Sequence, residues 1–231
     1  YPEDFFDEKV WSTRRVRPDE DELANAVKAL KSAKKPVIIA GGGVLYSEAT
    51  DALRAFAEKH QIPVCETQAG KSSLPDAHPL NMGGVGVTGT SAANQLAEEA
   101  DLILAAGSRL QDFTTGSWNL FKGKGRTFIG LNVQAFDAGK HNCLPLVADA
   151  REGLAELSDA IGAYAAPSAW TKKAASGLKE WNKIADAAAK KARPRKLRKP
   201  SCFGSSTAPD PASVDSWVAS ARPGEKGTFT S

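Results

Sequence analysis

The sequence predicts a doubly wound α/β fold with a mostly parallel sheet, built as a single domain with a C-terminal tail. Short apolar runs alternate with segments of helical spacing along residues 19–165. Two of these runs end directly in glycine, as strands buried on both faces of a parallel sheet commonly do. Strands separated by helical segments require right-handed crossovers, which place helices on both faces of the sheet.

Five apolar runs are predicted as strands because each is short, continuous and bounded by turn residues. In chain order they occupy residues 36–40, 62–67, 102–106, 127–132 and 145–148. The segment Pro79-Leu80-Asn81-Met82 lacks this pattern and is not expected to be a strand.

Helices are predicted where apolar residues recur at helical spacing. The first covers residues 19–33, with Leu23, Ala26, Val27 and Leu30 on one face after an acidic start. Ser47 is expected to cap a helix whose Leu53, Phe56 and Ala57 point inward, and Asp149 to cap one through Leu154, Leu157 and Ile161. A further helix covers 91–100. From Trp170 to Ile184 the spacing is again helical, and we expect its tryptophans to pack, although docking on a neighbouring domain stays open.

The predicted organisation has four parts: an N-terminal linker (1–18), the α/β domain (19–165), a helical linker (166–192) and a disordered or non-native tail (193–231). The tail is rich in Ser, Pro, Gly and Ala, a composition that does not compensate the entropy of ordering. No charged-then-apolar leader follows Tyr1, so the sequence gives no secretion signal, and we expect it to be a piece of a longer chain.

The charge and the cysteines narrow the function classes. Nine basic and three acidic residues follow Ala189, so the first 189 residues carry a net charge of −3 although the whole chain carries +3. The basic run 190–200 has no interleaved aromatic residues, and nucleic-acid binding is not expected. No apolar run could span a membrane. Cys65, Cys143 and Cys202 are odd in number and far apart, which favours buried thiols in a reducing cytoplasm over disulfides.

Glycine-bearing loops after the predicted strands indicate a crevice at the carboxyl edge of the sheet, where doubly wound folds bind ligands. The candidate cofactor-binding residues, which could line a nucleotide site or only a vestigial one, are Gly41, Gly42, Gly43, Thr67, Gly86, Gly89, Gly107, Arg109, Asp112 and Asn132. A tight turn without a cofactor is an equally good interpretation of 41–43, since a dinucleotide-binding fingerprint would need its third glycine at Tyr46. Residues 84–89 match Gly-x-Gly-x-x-Gly but lack a predicted strand before them.

Chemistry is harder to predict from these residues than binding. Arg109 could hold a diphosphate and Asp112 a ribose hydroxyl, or the two could form a local ion pair. The three histidines lack metal-ligand spacing, and no Gly-x-Ser-x-Gly motif occurs. We therefore predict no catalytic and no metal-binding residues in this chain.

Three segments carry a family resemblance: 35–43, 66–80 and 107–116. In sequence, order and spacing they resemble the Rossmann-like central domain of thiamine-diphosphate enzymes of the acetolactate synthase type. Residues 66–70, 110–118 and 131–141 most resemble the trihydroxycyclohexane-1,2-dione acylhydrolases, which open a ring in bacterial inositol catabolism. The resemblance covers roughly residues 1–181.

The resemblance implies a parent enzyme of three α/β domains that hydrolyses a carbon–carbon bond, with thiamine diphosphate and Mg²⁺ between its first and third domains. The partners it implies are those missing N- and C-terminal domains and further copies in a homo-oligomer. This chain has no Gly-Asp-Gly triplet of the kind that starts the family's metal-diphosphate motif. We therefore expect no cofactor and no activity in the chain alone.

Some relatives of the acetolactate synthase type also bind FAD at the central domain. The resemblance would place it at 41–43, 86–89 and 107–112. Their Gly-Met-His-Gly is Gly86-Val87-Thr88-Gly89 here, and Asn132 replaces the usual acidic residue. FAD is therefore not expected, while a middle domain of an acetolactate synthase-like enzyme and a free-standing nucleotide or FAD module remain the alternatives.

Overall fold

The computed structural model describes residues 1–8, 10, 12, 14–123 and 125–191. The predicted tail and most of the basic run therefore lie outside the described residues. Six strands form one sheet: β1 (Pro36–Ala40), β2 (Val64–Glu66), β3 (Asn81–Gly84), β4 (Leu102–Ala106), β5 (Thr127–Asn132) and β6 (Leu144–Val147). Every neighbouring pair is parallel, in the order β3-β2-β1-β4-β5-β6. The predicted doubly wound α/β class is confirmed.

The described residues form eight α-helices around the sheet: α1 (Glu20–Ser32), α2 (Gly42–Tyr46), α3 (Thr50–His60), α4 (Ser91–Glu99), α5 (Asp112–Thr115), α6 (Ala135–Gly139), α7 (Ala150–Ile161) and α8 (Ser168–Lys191). On one face α7 contacts both α1 and α3. From β1 to β3 the chain moves toward one edge of the sheet, and from β3 to β4 it crosses back past β1. Since crossovers are right-handed, this reversal places α4 on the other face, where it contacts α8. None of the described helices is long and apolar enough to cross a bilayer.

The central strands are the best buried part of the sheet. Every residue of β1 and β4 is buried, which explains their continuous apolar sequences Pro-Val-Ile-Ile-Ala and Leu-Ile-Leu-Ala-Ala. Their register pairs Pro36 with Leu102 and Ala40 with Ala106, so the two strands end at the same level. The loops that follow them therefore begin side by side.

Helix starts follow local capping chemistry. Asp149 accepts a hydrogen bond from the Arg151 amide and caps α7, as predicted. Asp19, predicted as the first residue of its helix, is instead the N-cap of α1 and accepts from the amides of Asp21 and Glu22. Ser47 does not cap α3, whose N-cap is Ala49. It ends α2 instead, where its hydroxyl donates to the Gly43 carbonyl at 2.5 Å. The sequence pattern does not predict the short helix α2. Because the Ser47 hydroxyl bonds to a carbonyl of α2, it does not cap α3.

The strand β3 lies where the sequence pattern predicts no strand. Asn81–Gly84 has no β-branched residue and pairs with β2 across a register irregularity, so periodicity does not reveal it. The Asn81 side chain helps to fix it by accepting from the Gly83 amide at 2.9 Å. The glycine string 84–89 thus does lie between a strand and a helix, although at the edge of the sheet.

Candidate functional site

A crevice opens at the carboxyl edge, between the loops that follow β1 and β4. Those loops lead away in opposite directions, to β2 on one side and β5 on the other, so the crevice lies at the topological switch point of the sheet. Its volume is about 180 Å³ and its lining is Gly41, Gly42, Gly43, Tyr46, Thr67, Ala69, Gly107, Ser108, Arg109, Gln111 and Thr114. Six of the ten predicted binding residues are brought together here.

The glycines of the crevice are needed for contact between the two loops. A Cβ on Gly41 would lie 2.3 Å from the carbonyl oxygen of Gly107. The Gly43 amide donates to that same oxygen at 3.0 Å, and the Gly41 amide donates to Ala106 at 2.8 Å. The backbone that approaches these glycines is therefore the protein's own, which favours the tight-turn interpretation of 41–43.

Thr67 belongs to a turn that lies over the end of β1. Its amide donates to the Ala40 carbonyl at 2.9 Å, and its hydroxyl accepts from the Gly70 amide at 3.1 Å. A Cβ on Gly70 would lie 2.1 Å from the Ala40 oxygen, so this turn also depends on close backbone contact. Thr67 therefore forms one wall of the crevice through a fixed loop.

Arg109 is the cation of the crevice lining. Its side chain is exposed, and it forms no ion pair with any described residue. The local pair with Asp112 that the sequence allowed is thus not formed. Asp112 begins α5 and does not line the crevice; its backbone carbonyl accepts from the Ser117 amide at 2.8 Å.

The three remaining predicted residues also lie outside the lining. A Cβ on Gly86 would be 2.3 Å from the Phe113 carbonyl oxygen, and one on Gly89 would be 2.7 Å from that of Gly84. The Asn132 side chain accepts from the Gln134 amide at 3.1 Å. Each of the three shapes a loop at the carboxyl edge.

The buried carboxylate of Glu66 was not singled out from the sequence. It ends β2 and is fully buried, accepting from the Leu74 amide at 3.0 Å with the Lys71 ammonium 3.4 Å away. An acidic residue at the end of an otherwise apolar buried strand is the signal that could have identified it. Burial, with the nearby charge of Glu66, raises the pKa of Cys65 to about 12, so this thiol stays protonated.

The lining has polar groups that could bind a ligand, but few groups that could act as an acid, a base or a nucleophile. Its polar groups are hydroxyls, an amide and one guanidinium, with no carboxylate, imidazole or thiol. Mg²⁺ takes oxygen ligands that include carboxylates, so this crevice does not fit a magnesium-diphosphate group. No three His, Cys, Asp or Glu residues among those described are arranged to hold a metal ion. A volume of about 180 Å³ is also below the 300–1,000 Å³ typical of sites that enclose small molecules.

Comparisons with known proteins agree with the topology. Residues 23–157 match the family model described as the thiamine pyrophosphate enzyme, central domain. This match spans β1 to β6 and most of the helices around them.

Curated relatives carry a more specific name. The chain is 44% identical over 183 residues to the 3D-(3,5/4)-trihydroxycyclohexane-1,2-dione hydrolase of Geobacillus thermodenitrificans, a match covering 79% of this chain and 28% of the relative. A protein of the same name from Bacillus thuringiensis is 44% identical over 181 residues, covering 78% and 28%. The chain thus spans little more than a quarter of the length of these relatives.

Proposed function

This chain belongs to the thiamine pyrophosphate enzyme central-domain family, and from that premise we propose that it is the central domain of a longer hydrolase that opens the ring of trihydroxycyclohexane-1,2-dione in inositol catabolism. The observation that carries the proposal is the 44% identity over 183 residues to proteins named for that hydrolysis. The matched segment is longer than the family's domain match, so the similarity extends beyond the sheet.

In this proposal the chain serves as a scaffold. Thiamine diphosphate supplies the carbon nucleophile of such enzymes when it is bound. The crevice does not fit a magnesium-diphosphate group, so we assign the cofactor and Mg²⁺ to the N- and C-terminal domains of the parent. The interlocked loops at Gly41 and Gly107 support this role, because they make the carboxyl edge a fixed surface.

We further propose that the crevice holds no FAD and that the parent is a cytoplasmic homo-oligomer. The crevice is too small for a flavin dinucleotide, and its glycines pack against the protein's own backbone and not around a ligand. Cys65 and Cys143 are buried free thiols, as expected in a reducing compartment. Most soluble oligomers are built from identical subunits, which favours a homo-oligomer if the parent assembles.

A chimera tests the function directly. The matching segment of this chain replaces that of the Geobacillus thermodenitrificans protein, and turnover of trihydroxycyclohexane-1,2-dione is measured with thiamine diphosphate and Mg²⁺. We expect activity within about tenfold of the unmodified relative, and none when the segment is deleted. A folded chimera that binds the cofactor but leaves the dione intact would contradict the proposed substrate.

A separate measurement tests the expectation that the chain alone does not bind thiamine diphosphate. Isothermal titration of the 231-residue chain with thiamine diphosphate and Mg²⁺ should give no heat of binding. Tight, magnesium-dependent binding would overturn the assignment of the cofactor to the missing domains.

A further inference from the structure

Exposed hydrophobic side chains are unevenly distributed over the α/β domain. Among described residues 14–175, five large hydrophobic side chains are exposed: Tyr46, Val87, Phe113, Val133 and Phe136. All five lie in loops or short helices that follow the carboxyl ends of strands. We call this set the apolar rim. Its members include Tyr46 at 87% and Phe136 at 78% exposure, so they contribute little to the core of the domain.

Backbone contacts connect several of the loops that carry the rim. The Val87 amide donates to the Phe113 carbonyl at 3.0 Å, and Tyr46 lines the same crevice as Thr114. The Gly107 amide donates to Leu131 at 2.8 Å, so the loop after β4 begins beside the end of β5. From β3 to β5 the rim crosses four strand spacings, or about 19 Å.

The composition of the rim is that of a protein interface. Three of its five members are aromatic. Arg109 lines the crevice together with Tyr46, and its exposed guanidinium forms no ion pair among the described residues. Tyr, Phe and Arg are enriched in the buried centres of interfaces, where lysine and glutamate are depleted. Exposed apolar side chains gathered at one edge of a domain, with polar residues around them, are typical of a site of contact.

The path of the N-terminal segment indicates which partner docks on the apolar rim. Arg15 donates to Ser47 and Asp149, and the Asp149 amide donates to Val16 at 2.8 Å. Ser47 and Asp149 both follow strands at the carboxyl edge, so the N-terminal segment is fixed at the same edge as the rim. A domain that precedes this segment is tethered beside the apolar rim and reaches it at high local concentration.

We propose that the apolar rim is the docking surface for the domain that precedes this chain in its parent polypeptide, and that this domain presents apolar surface with a carboxylate opposite Arg109. The inference rests on the proposed function, which makes the chain the middle of a longer enzyme. The neighbouring domain then covers the open side of the crevice, and rim side chains that are exposed to solvent here become buried.

Hydrogen exchange distinguishes this docking from the assignment of substrate. Amide exchange in the loops carrying Tyr46, Phe113 and Phe136 is compared between the 231-residue chain and the chimera. Docking predicts exchange at least about tenfold slower in the chimera. This protection is independent of turnover, so a chimera that is inactive on the dione but protected at the rim would retain the docking surface while the substrate assignment fails.

Substitutions then locate the contact. The double variant Tyr46→Ser/Phe136→Ser should leave the thermal midpoint of the isolated chain unchanged and abolish the extra protection in the chimera. Arg109→Glu should reduce that protection by repelling the partner's carboxylate, and Ile184→Ser, an exposed position on α8, should not alter it. Equal exchange in the chain and the chimera would overturn the proposal.

Two further outcomes complete the test. Dimerisation of the isolated chain in sedimentation velocity, lost in the double variant, would assign the rim to a second copy and overturn the proposal. If the chimera does not fold, the same exchange comparison is made between the Geobacillus thermodenitrificans hydrolase and its isolated matching segment. Absence of protection at its carboxyl edge would then count against the proposal.

Discussion

Gly43 and Gly107 lie backbone to backbone, each occupying the space that a Cβ on the other would need. A Cβ on Gly43 would lie 2.7 Å from the Cα of Gly107, and one on Gly107 would lie 2.6 Å from the Cα of Gly43. Gly107 also has a φ of 59°, in the region that favours glycine. The loops after β1 and β4 are therefore locked together by two residues that have no side chains.

Replacing either glycine by alanine should destabilise the domain. We expect Gly43→Ala and Gly107→Ala each to lower the free energy of unfolding by about 1–3 kcal/mol, because rigid backbone must move to admit the methyl group. Urea unfolding followed by circular dichroism measures the loss. Gly139→Ala is the control, since a Cβ there meets nothing within 4 Å. Equal stability of all three variants would show that the loops can separate at no cost.

Arg15 should stabilise the fold more than its neighbour Arg17. Its guanidinium donates to the Ser47 carbonyl at 2.7 Å and to Asp149 at 3.1 Å in a partly buried setting. Arg15→Ala should lower the free energy of unfolding by about 1–2 kcal/mol, since charge-assisted bonds are lost. Arg17→Ala should have no measurable effect, because its pair with Glu156 is solvent-exposed on the arginine side. Urea titrations at matched pH compare the two.

His60 should make the domain sensitive to mild acid. The ring is fully buried, with Nδ1 2.7 Å from the Tyr164 carbonyl and Nε2 3.2 Å from the Ser158 hydroxyl. Burial is the main cause that lowers the pKa of His60, reinforced by Lys59 and opposed by the Tyr164 carbonyl. The unfolded chain therefore binds a proton first as the pH falls through about 6.5, and stability is lost from there downward.

The matched variant for this prediction is His60→Gln. It should be less stable than the wild type at pH 7.5, yet lose less further stability between pH 7.5 and pH 5.5. Part of the slope should remain, because burial and Lys140 also lower the pKa of His141. Unfolding free energies at a series of pH values give the comparison, and parallel curves for both proteins would argue against His60 as the source.

Trp170 should connect α8 to the sheet through its indole. The side chain is 4% exposed and its Nε1 donates to the Pro36 carbonyl at 2.9 Å. Trp170→Phe should cost about 1–2 kcal/mol, because a buried carbonyl loses its partner. Trp181→Phe, at a less buried position of the same helix, should change stability by less than about 0.5 kcal/mol. Tryptophan fluorescence during urea unfolding measures both, and a larger loss for Trp181→Phe would contradict this order.

The sequence predicts the central part of this fold well. The bounds of β1, β4 and β5 coincide with apolar runs, because burial on both faces leaves a continuous hydrophobic pattern. β3 could not be found this way, since Asn81–Gly84 is short, glycine-rich and held partly by a side chain. The helix α2 was also missed, because five residues rich in glycine give no helical periodicity.

The location of the crevice follows from topology, whereas the purpose of its glycines does not follow from the sequence. A glycine that admits a ligand and a glycine that admits another loop have the same sequence signature. Distinguishing them requires knowing that Gly107 lies against Gly41, residues far apart in the chain. Likewise, the spacing of Arg109 and Asp112 is compatible with a local ion pair, but the ion pairs of the described residues do not include it.

The anchors at Arg15 and Trp170 have a mechanical consequence. Arg15 is held at the carboxyl end of the strands, whereas the indole of Trp170 is held at Pro36, where β1 begins. Tension between these two points runs along β1, which is hydrogen-bonded to β2 on one side and β4 on the other. Because Ser47 and Pro36 lie on one covalent segment, such a load does not pull on either ladder, and the hydrogen bonds of the two anchors should break before the sheet opens.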